Sequence, residues 1–398
     1  MKKFIEGSMA VAEAVNLCQP AVISAYPITP QTHIVEDLSK MAADGEFKGQ
    51  FVNVESEFAA ASVVLGAQAT GARSYTATTS QGLLLMAEVL FNIAGMRLPI
   101  VLTCANRAIS APINIWNDHS DAMALRDCGF IQLWAESNQE AADLHYQAYK
   151  IAENEGVRLP VMVNIDGFLV THSVEPVDMP TQAEVDAFLP KYNPKYYLTT
   201  KNPISFGSMV GEDGYMEFRN YLEEAMKNAH GVIEKVAKEF KDKFGRYYGS
   251  LIDTYKIEDA ETVIVAMGSV IGTIKESIDL MRNNGIKVGL LKIRSFRPFP
   301  VKEVAEALKK AKNVVIIDRA SSVGRGGIVA TEVRSALYEE KVTTPNVTSF
   351  MVGLGGRDIT NKTITDLVGQ AGTKFEGTKF AELDNNVIKQ GEEYLKTF

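Results

Sequence analysis

Cysteine is scarce. The 398-residue chain has three, Cys18, Cys104 and Cys128, far apart and without a CxxC pair. Their odd number and spacing exclude a disulfide framework and supply no cysteine set for an iron–sulfur cluster or zinc site, so any electron-carrying cluster is expected on a partner. Long hydrophobic runs are missing as well. The N-terminal stretch MKKFIEGSMAVAEAVNLC has two lysines, but Glu6 and Glu13 interrupt its apolar residues, and it reads as neither a secretory signal nor a membrane span. There is no basic excess: 41 Lys+Arg against 49 Asp+Glu give a formal net charge of −8. That balance argues against nucleic-acid binding and suits a cytoplasmic protein. No short-period repeat occurs, and no P-loop or dinucleotide-binding glycine pattern is found. Gly324-Arg325-Gly326-Gly327 comes nearest, and it reads as a tight-packing turn.

What is present is ordinary globular composition, 46% hydrophobic and 23% charged, in a chain too long for one core. Short buried-strand patterns at 21–25, 51–54, 74–79, 98–104, 130–134 and 161–166 alternate with helical ones. The alternation predicts a doubly wound α/β domain. The pattern lapses from about 171. Residues 192–217 read as an irregular insert expected at a subunit contact, and 218–255 as a long amphipathic helix or a pair of them. A second α/β unit starts near 258, with strands at 261–267, 285–291, 313–318 and 347–352. The expected domains are therefore 1–257, with the insert at about 171–257, and 258–398.

In parallel sheets ligands bind beyond the C-terminal strand ends, so the residues delivered there are candidates for chemistry. Glu57 follows the strand at 51–54 among small and apolar residues. It is either a first-turn acid stabilised by the helix macrodipole or a partly desolvated carboxyl in need of a partner. Tyr26-Pro27-Ile28-Thr29-Pro30 ends the first strand abruptly, and the prolines hold Thr29 away from helical geometry. The Thr29 hydroxyl then either meets a ligand or caps the next helix. Arg107 leaves the strand at 98–104. It suits bidentate contact with a small carboxylate, or it forms an ion pair within the chain. Asp118, His119 and Asp121 lie too close together on one loop to make a metal set. Asn117 and Asp118 read as a polar turn and Ser120 or Asp121 as a helix start, with His119 a candidate to face the cleft. No metal is expected on this chain.

The segments AYPITP (25–30), ESE (55–57), TTSQGLLLM (78–86), ANRA (105–108) and NDHSDAMALRDCGF (117–130) together resemble 2-oxoacid:ferredoxin oxidoreductases. Within that family they are most similar to the α chains of multi-subunit, pyruvate-using members. IRSFRPFP (293–300), Asp318-Arg319 and GLGGRD (353–358) extend the resemblance through both halves. It implies a pyrimidine-type thiamine diphosphate domain followed by a smaller transketolase C-terminal-like domain. By the resemblance Glu57 bonds the aminopyrimidine ring nitrogen, favouring the imino tautomer whose nitrogen takes the proton from the thiazolium carbon. Ile28, Ser80, Gln81 and Gly82 complete the cofactor contacts, while Thr29 and Arg107 hold the 2-oxoacid. Relatives acting on oxalate carry arginine at the Thr29 position, so threonine favours a monoacid such as pyruvate.

The GDG of a diphosphate- and metal-binding domain is absent, Gly211-Glu212-Asp213-Gly214 being a poor match. The resemblance therefore places diphosphate binding, Mg²⁺ and [4Fe-4S] clusters on β-, γ- and δ-type partner subunits, with coenzyme A as acyl acceptor and ferredoxin as electron acceptor. Asn117 departs from the glycine common in single-chain relatives. Competing readings are a branched-chain or 2-oxoglutarate enzyme, a non-catalytic transketolase-like scaffold, and a thiamine enzyme without redox partners.

Overall fold

Strands buried on both faces favour apolar or small residues. Ser74–Thr78, Val101–Asn106 and Val161–Asp166 are buried at every position and form the middle of a seven-stranded sheet. The computed structural model describes residues 2–374 and 377–397. Across this sheet the order is Ser295–Arg297, Ile131–Trp134, Val161–Asp166, Val101–Asn106, Ser74–Thr78, Val22–Ala25 and Gln50–Asn53. All pairings are parallel except that of Ser295–Arg297. The exits after Gln50–Asn53, Val22–Ala25, Ser74–Thr78 and Val101–Asn106 therefore share one rim, where right-handed crossovers place the loops preceding the helices.

The second sheet has six strands in the order Lys379–Phe380, Asn346–Met351, Asn313–Asp318, Thr262–Ala266, Val288–Ile293 and Ile252–Tyr255. Its Ile252–Tyr255 edge is antiparallel. One apolar core joins the two sheets, with Ala60, Leu83, Trp134 and Met162 packed in the same cluster as Val265, Leu291, Val314 and Ile316. Among the described residues no helix is long and apolar enough to cross a membrane.

Several elements differ in detail from their sequence patterns. The helix expected at 83–93 is two, Ser80–Leu85 and Ala87–Gly95, meeting at buried Met86. The stretch expected as one or two helices is the single helix Tyr215–Phe244, ended by Gly245 at φ 73. Residues 295–297, read as a proline-limited exit, return to cover the edge of the first sheet, where an unpaired strand would expose its backbone groups. The insert packs on the end of the chain's own helix Glu57–Ala69: Leu198 N–H donates to Ala69 O at 2.7 Å, and Tyr197 packs above Gly71. Met209, Tyr215 and Met216 of this insert are exposed. Gly327 is the tight-packing turn anticipated, since a methyl there would overlap the Asp318 carboxylate that caps Val329 N and Ala330 N.

Charge also joins the two sheets. Glu140, fully buried on the helix Asn138–Ala152 beside the first sheet, accepts at 2.6 Å from Lys292 on the second-sheet strand Val288–Ile293 and at 3.1 Å from Arg294 just after it. Against the downward pull of burial, Glu140 and Glu136 hold Lys292 above the usual lysine value, so the ion pair is retained. At the end of Val161–Asp166, buried Asp166 accepts from His119 Nε2 (2.9 Å), Ser269 N (2.9 Å), Ser269 Oγ (2.5 Å) and Arg319 Nη1 (2.6 Å). Burial pushes this carboxyl up, but His119 and Arg319 overcome it and hold Asp166 well below the usual range. Asp166→Asn should therefore cost about 3–5 kcal/mol at neutral pH by leaving buried charge uncompensated. Because the folded pKa is depressed, the contribution is complete above the unfolded value near ~3.9 and fades only as pH falls through the lower folded one. Denaturant melts of both proteins from pH 7 downward should show a constant gap that narrows below about pH 4.

Candidate active site

Each sequence candidate lies on the shared rim, and hydrogen bonds connect most of them. Glu57 is the first residue of the helix Glu57–Ala69, whose N-cap Ser56 accepts from Ala59 N at 3.2 Å. The cap leaves the Glu57 side chain free of capping duty. It is 8% exposed, and among the described residues no hydrogen bond or ion pair engages its carboxylate. Gly82 supplies its floor. A Cβ there would stand 2.8 Å from both Cγ and Oε1 of Glu57, and 2.5 Å from Thr78 Oγ1.

The turn leading to Gly82 is built under constraint. Ser80 has φ 48, a left-handed conformation that a non-glycine residue keeps only when its neighbours enforce it. Enforcement comes from both of its polar groups: Ser80 N donates to Asp121 Oδ2 at 2.9 Å and Ser80 Oγ to Ala108 O at 2.5 Å. The adjacent Thr79 Oγ1 donates to Ala105 O at 2.5 Å. Gln81 Oε1 lies 2.6 Å from the Ser80 hydroxyl, whose one proton goes to Ala108 O, and among the described residues buried Gln81 Nε2 and Thr78 Oγ1 have no hydrogen-bond partner.

Arg107 is 7% exposed and forms no ion pair within the described residues. Its Nε donates to Asn114 O at 3.0 Å and its Nη1 to Thr29 O at 2.9 Å. Neutral carbonyls thus orient the guanidinium without cancelling its charge, which disposes of the intrachain ion pair. Burial lowers its pKa from the ordinary arginine value, with Asp121 opposing that shift. Thr29 is exposed and does not cap the following helix; Gln31 holds that position, and it makes no side-chain cap bond. Gln31 instead ties the turn down, accepting from Ile28 N at 3.2 Å and donating to Ala77 O at 2.7 Å. Ile28 is half-buried beside Thr29.

Asp121 is the residue whose role the sequence reading missed. It does lie in the helix Ser120–Ala124, as the turn chemistry suggested, but its carboxylate accepts from Ser80 N, Arg107 N (3.0 Å) and Asn106 Nδ2 (3.0 Å). The available signal was an acid followed directly by Ala122-Met123, an apolar context in which a carboxylate must find donors. His119 does not face the cleft. It is 1% exposed, tilted against Trp134 with ring centroids 4.3 Å apart, and bonded to Asp166. The second sheet closes the far side through Asn114 Nδ2 to Gly355 O at 3.1 Å and Gly356 N to Asn117 O at 2.7 Å.

A family model described as pyruvate flavodoxin/ferredoxin oxidoreductase, thiamine diphosphate-binding, matches residues 13–238, and pyruvate:ferredoxin oxidoreductase core domain II matches 260–364. The chain belongs to the pyruvate flavodoxin/ferredoxin oxidoreductase family. It is 52% identical over 392 residues to pyruvate synthase subunit PorA of Methanosarcina barkeri, covering 96% of this chain and 97% of that one. The Thermotoga maritima subunit of the same name is 48% identical, covering 89% and 90%. Ketoisovalerate oxidoreductase subunit VorA of Pyrococcus horikoshii is 45% identical, covering 90% and 91%. These family members are enzyme subunits, and so is this chain.

In fold, the chain matches 2-oxoglutarate:ferredoxin oxidoreductase from Magnetococcus marinus at TM-score 0.72 and 18% identity, over 93% of its own length and 65% of that chain. A split-gene transketolase matches at TM-score 0.53 and 14% identity, over 93% and 99%. The rim fits the pyrimidine end of the family's cofactor on chemical grounds. It offers an unengaged carboxylate at Glu57, a spare buried amide donor at Gln81 and a wall at Gly82 that admits no side chain. Gly82→Ala should displace Glu57 and weaken thiamine diphosphate binding by the reconstituted complex. Loss of one charge-assisted hydrogen bond, roughly 1.5–3 kcal/mol, corresponds to a ten- to hundredfold rise in Kd, readable by titration calorimetry.

Proposed function

We propose that this chain is the α subunit of a pyruvate:ferredoxin oxidoreductase, catalysing with its partners pyruvate + CoA + oxidised ferredoxin to acetyl-CoA + CO₂ + reduced ferredoxin. The observation that carries the reading is a charged Arg107 fixed by two neutral carbonyls beside the exposed Thr29, on the rim that also holds Glu57. The names and near-complete coverage of its relatives support pyruvate as the acid.

Thiamine diphosphate, when bound, supplies a carbon nucleophile for the 2-oxoacid carbonyl and an electron sink for the loss of CO₂. Glu57 holds a proton at the pyrimidine ring nitrogen, and its sheltered position strengthens that bond. Gln81 donates from its spare amide, while Ile28 and Ser80 shape the wall. Arg107 receives the substrate carboxylate and the Thr29 hydroxyl a substrate oxygen, so that the carbonyl is oriented before reaction. Magnesium, the diphosphate grip and the iron–sulfur clusters belong to β-, γ- and δ-type partners, which also meet coenzyme A and ferredoxin. The assembly is placed in the cytoplasm.

A branched 2-oxoacid is the second reading, favoured by the 45% identity to the ketoisovalerate subunit. Ferredoxin reduction measured across pyruvate, 2-oxoisovalerate and 2-oxoglutarate separates them, and highest kcat/KM on pyruvate is expected. In the same assay Glu57→Gln should lower kcat at least tenfold, since a positioned proton relay contributes ~10²–10⁴ in rate. Near-normal turnover would leave the chain a scaffold. Arg107→Ala should raise KM for the oxoacid by the loss of a charge-assisted bond, roughly 1.5–3 kcal/mol. An unchanged substrate dependence would take Arg107 out of the clamp.

A further inference from the structure

Local spacing offered no metal set, but the fold assembles one from three separate segments. Glu6 ends the first strand, His33 lies in the first turn of the helix Thr32–Ala43, and His172 follows the strand Val161–Asp166. One ligand atom from each lies within 4.8 Å of the others. We propose that Glu6, His33 and His172 form a binding site for a divalent transition metal of the zinc class.

Two imidazoles and one carboxylate are the donor types such an ion selects. Tetrahedral bonds of ~2.0–2.1 Å place ligand atoms about 3.4 Å apart, so side-chain rotations of about an ångström close the set. Its members are already associated: His33 Nδ1 stands 2.6 Å from Glu6 Oε1, and the two imidazole rings lie 4.5 Å apart. His172 also has an orienting partner, its Nδ1 being 2.7 Å from Thr171 Oγ1. With Nδ1–H donated to that hydroxyl, Nε2 presents its lone pair to the ion, the usual arrangement behind a metal-bound histidine. The His33 and Glu6 side chains are 45% and 30% exposed, which leaves a position open for water.

The site lies beside the catalytic rim. His33 belongs to the helix that starts just beyond Pro30, and ring contacts run from His172 to Phe168 (4.7 Å) and from Phe168 to Trp116 (6.4 Å), in the loop that holds Arg107. An ion bound there fixes the N-terminal strand, the helix after the Thr29 turn and the loop after Asp166 to one another.

The test uses the full-length chain, stripped with a chelator and titrated with Zn²⁺ alone and with Co²⁺ alone. The wild type should bind Zn²⁺ with micromolar or tighter affinity, and Co²⁺ should produce the visible absorption of a low-coordinate ion. His172→Ala and His33→Gln should both abolish the Co²⁺ spectrum, the glutamine retaining a hydrogen-bond donor for Glu6 and circular dichroism confirming the fold. Thr171→Val should weaken binding by about tenfold through loss of the orienting bond. His230→Ala, altering the separate group of His230, Glu234 and Glu303, should leave the spectrum unchanged. No Zn²⁺ binding by the wild type, or a Co²⁺ spectrum that survives both His33→Gln and His172→Ala, would overturn the site.

Discussion

The candidate rim depends on one buried carboxylate. Asp121 Oδ2 accepts from Ser80 N and from Arg107 N, which lie on the exits of neighbouring strands, and Asp121 Oδ1 accepts from Asn106 Nδ2. Burial pushes the Asp121 carboxyl up, and the donors from Asn106, Ser80, Arg107 and Ala122 pull it back. The same atom therefore holds Ser80 in its left-handed turn and fixes where Arg107 leaves the sheet. Gly82 follows from the first constraint and the orientation of the guanidinium from the second. Glu57 rests on Gly82, so the proposed proton relay and substrate clamp are set by one local network although they arise on different strands.

The strand exits were legible because parallel-sheet logic needs only apolar runs and the residues that end them. Thr29 and Arg107 follow buried strands, whereas the strand before Glu57, read as buried, is the half-exposed edge of the sheet; their common rim is a consequence of strand order. Asp121, Asp166 and the Glu6–His33–His172 group were not legible, because each acquires meaning from partners distant in sequence. Asp121 looked like a helix start, which it also is. Asp166 looked like the polar end of a strand, whereas its partners Ser269 and Arg319 come from the second sheet. His119 was misplaced toward the cleft for the same reason: the loop's polarity was visible, but the buried acid that claims its imidazole was not. The split at Met86 is an error of continuity, and the choice between one helix and two at 218–255 was left open and resolved as the single helix Tyr215–Phe244, since both stretches have helical periodicity and only packing decides where a helix breaks.

The second sheet is part of the site's construction. Asn114, whose carbonyl orients Arg107, is itself held by Gly355, and Gly356 crowds so closely on Trp116 that a side chain there would strike the indole. Deeper in the joint, Glu140 with Lys292 and Arg294, and Asp166 with Arg319, replace water by fixed partners. Buried ion pairs of this kind add little stability over apolar packing, but they penalise any misalignment that would strand a charge. They give the two sheets one relative register and thereby one shape to the loop at 107–117.

That rigidity bears on which acid the rim selects. In the proposed role Arg107 meets a carboxylate common to every 2-oxoacid, so it would give class recognition without distinguishing among members. Discrimination must come from what meets the remainder of the substrate, and a hydrophobic wall separates acids differing by one methylene by only ~1–3 kcal/mol. Thr29 is short, exposed and anchored through its carbonyl to Arg107, so its hydroxyl sits at a fixed place relative to the cation. A longer side chain at that position would occupy the space beside the guanidinium, and a charged one would change the class of acid accepted. Subunits named for pyruvate and for ketoisovalerate lie at 52% and 45% identity to this chain, a small difference in overall similarity. In the proposed reading, substrate choice then rests on a few wall residues, while the Asp121 network fixes where the clamp stands in this chain.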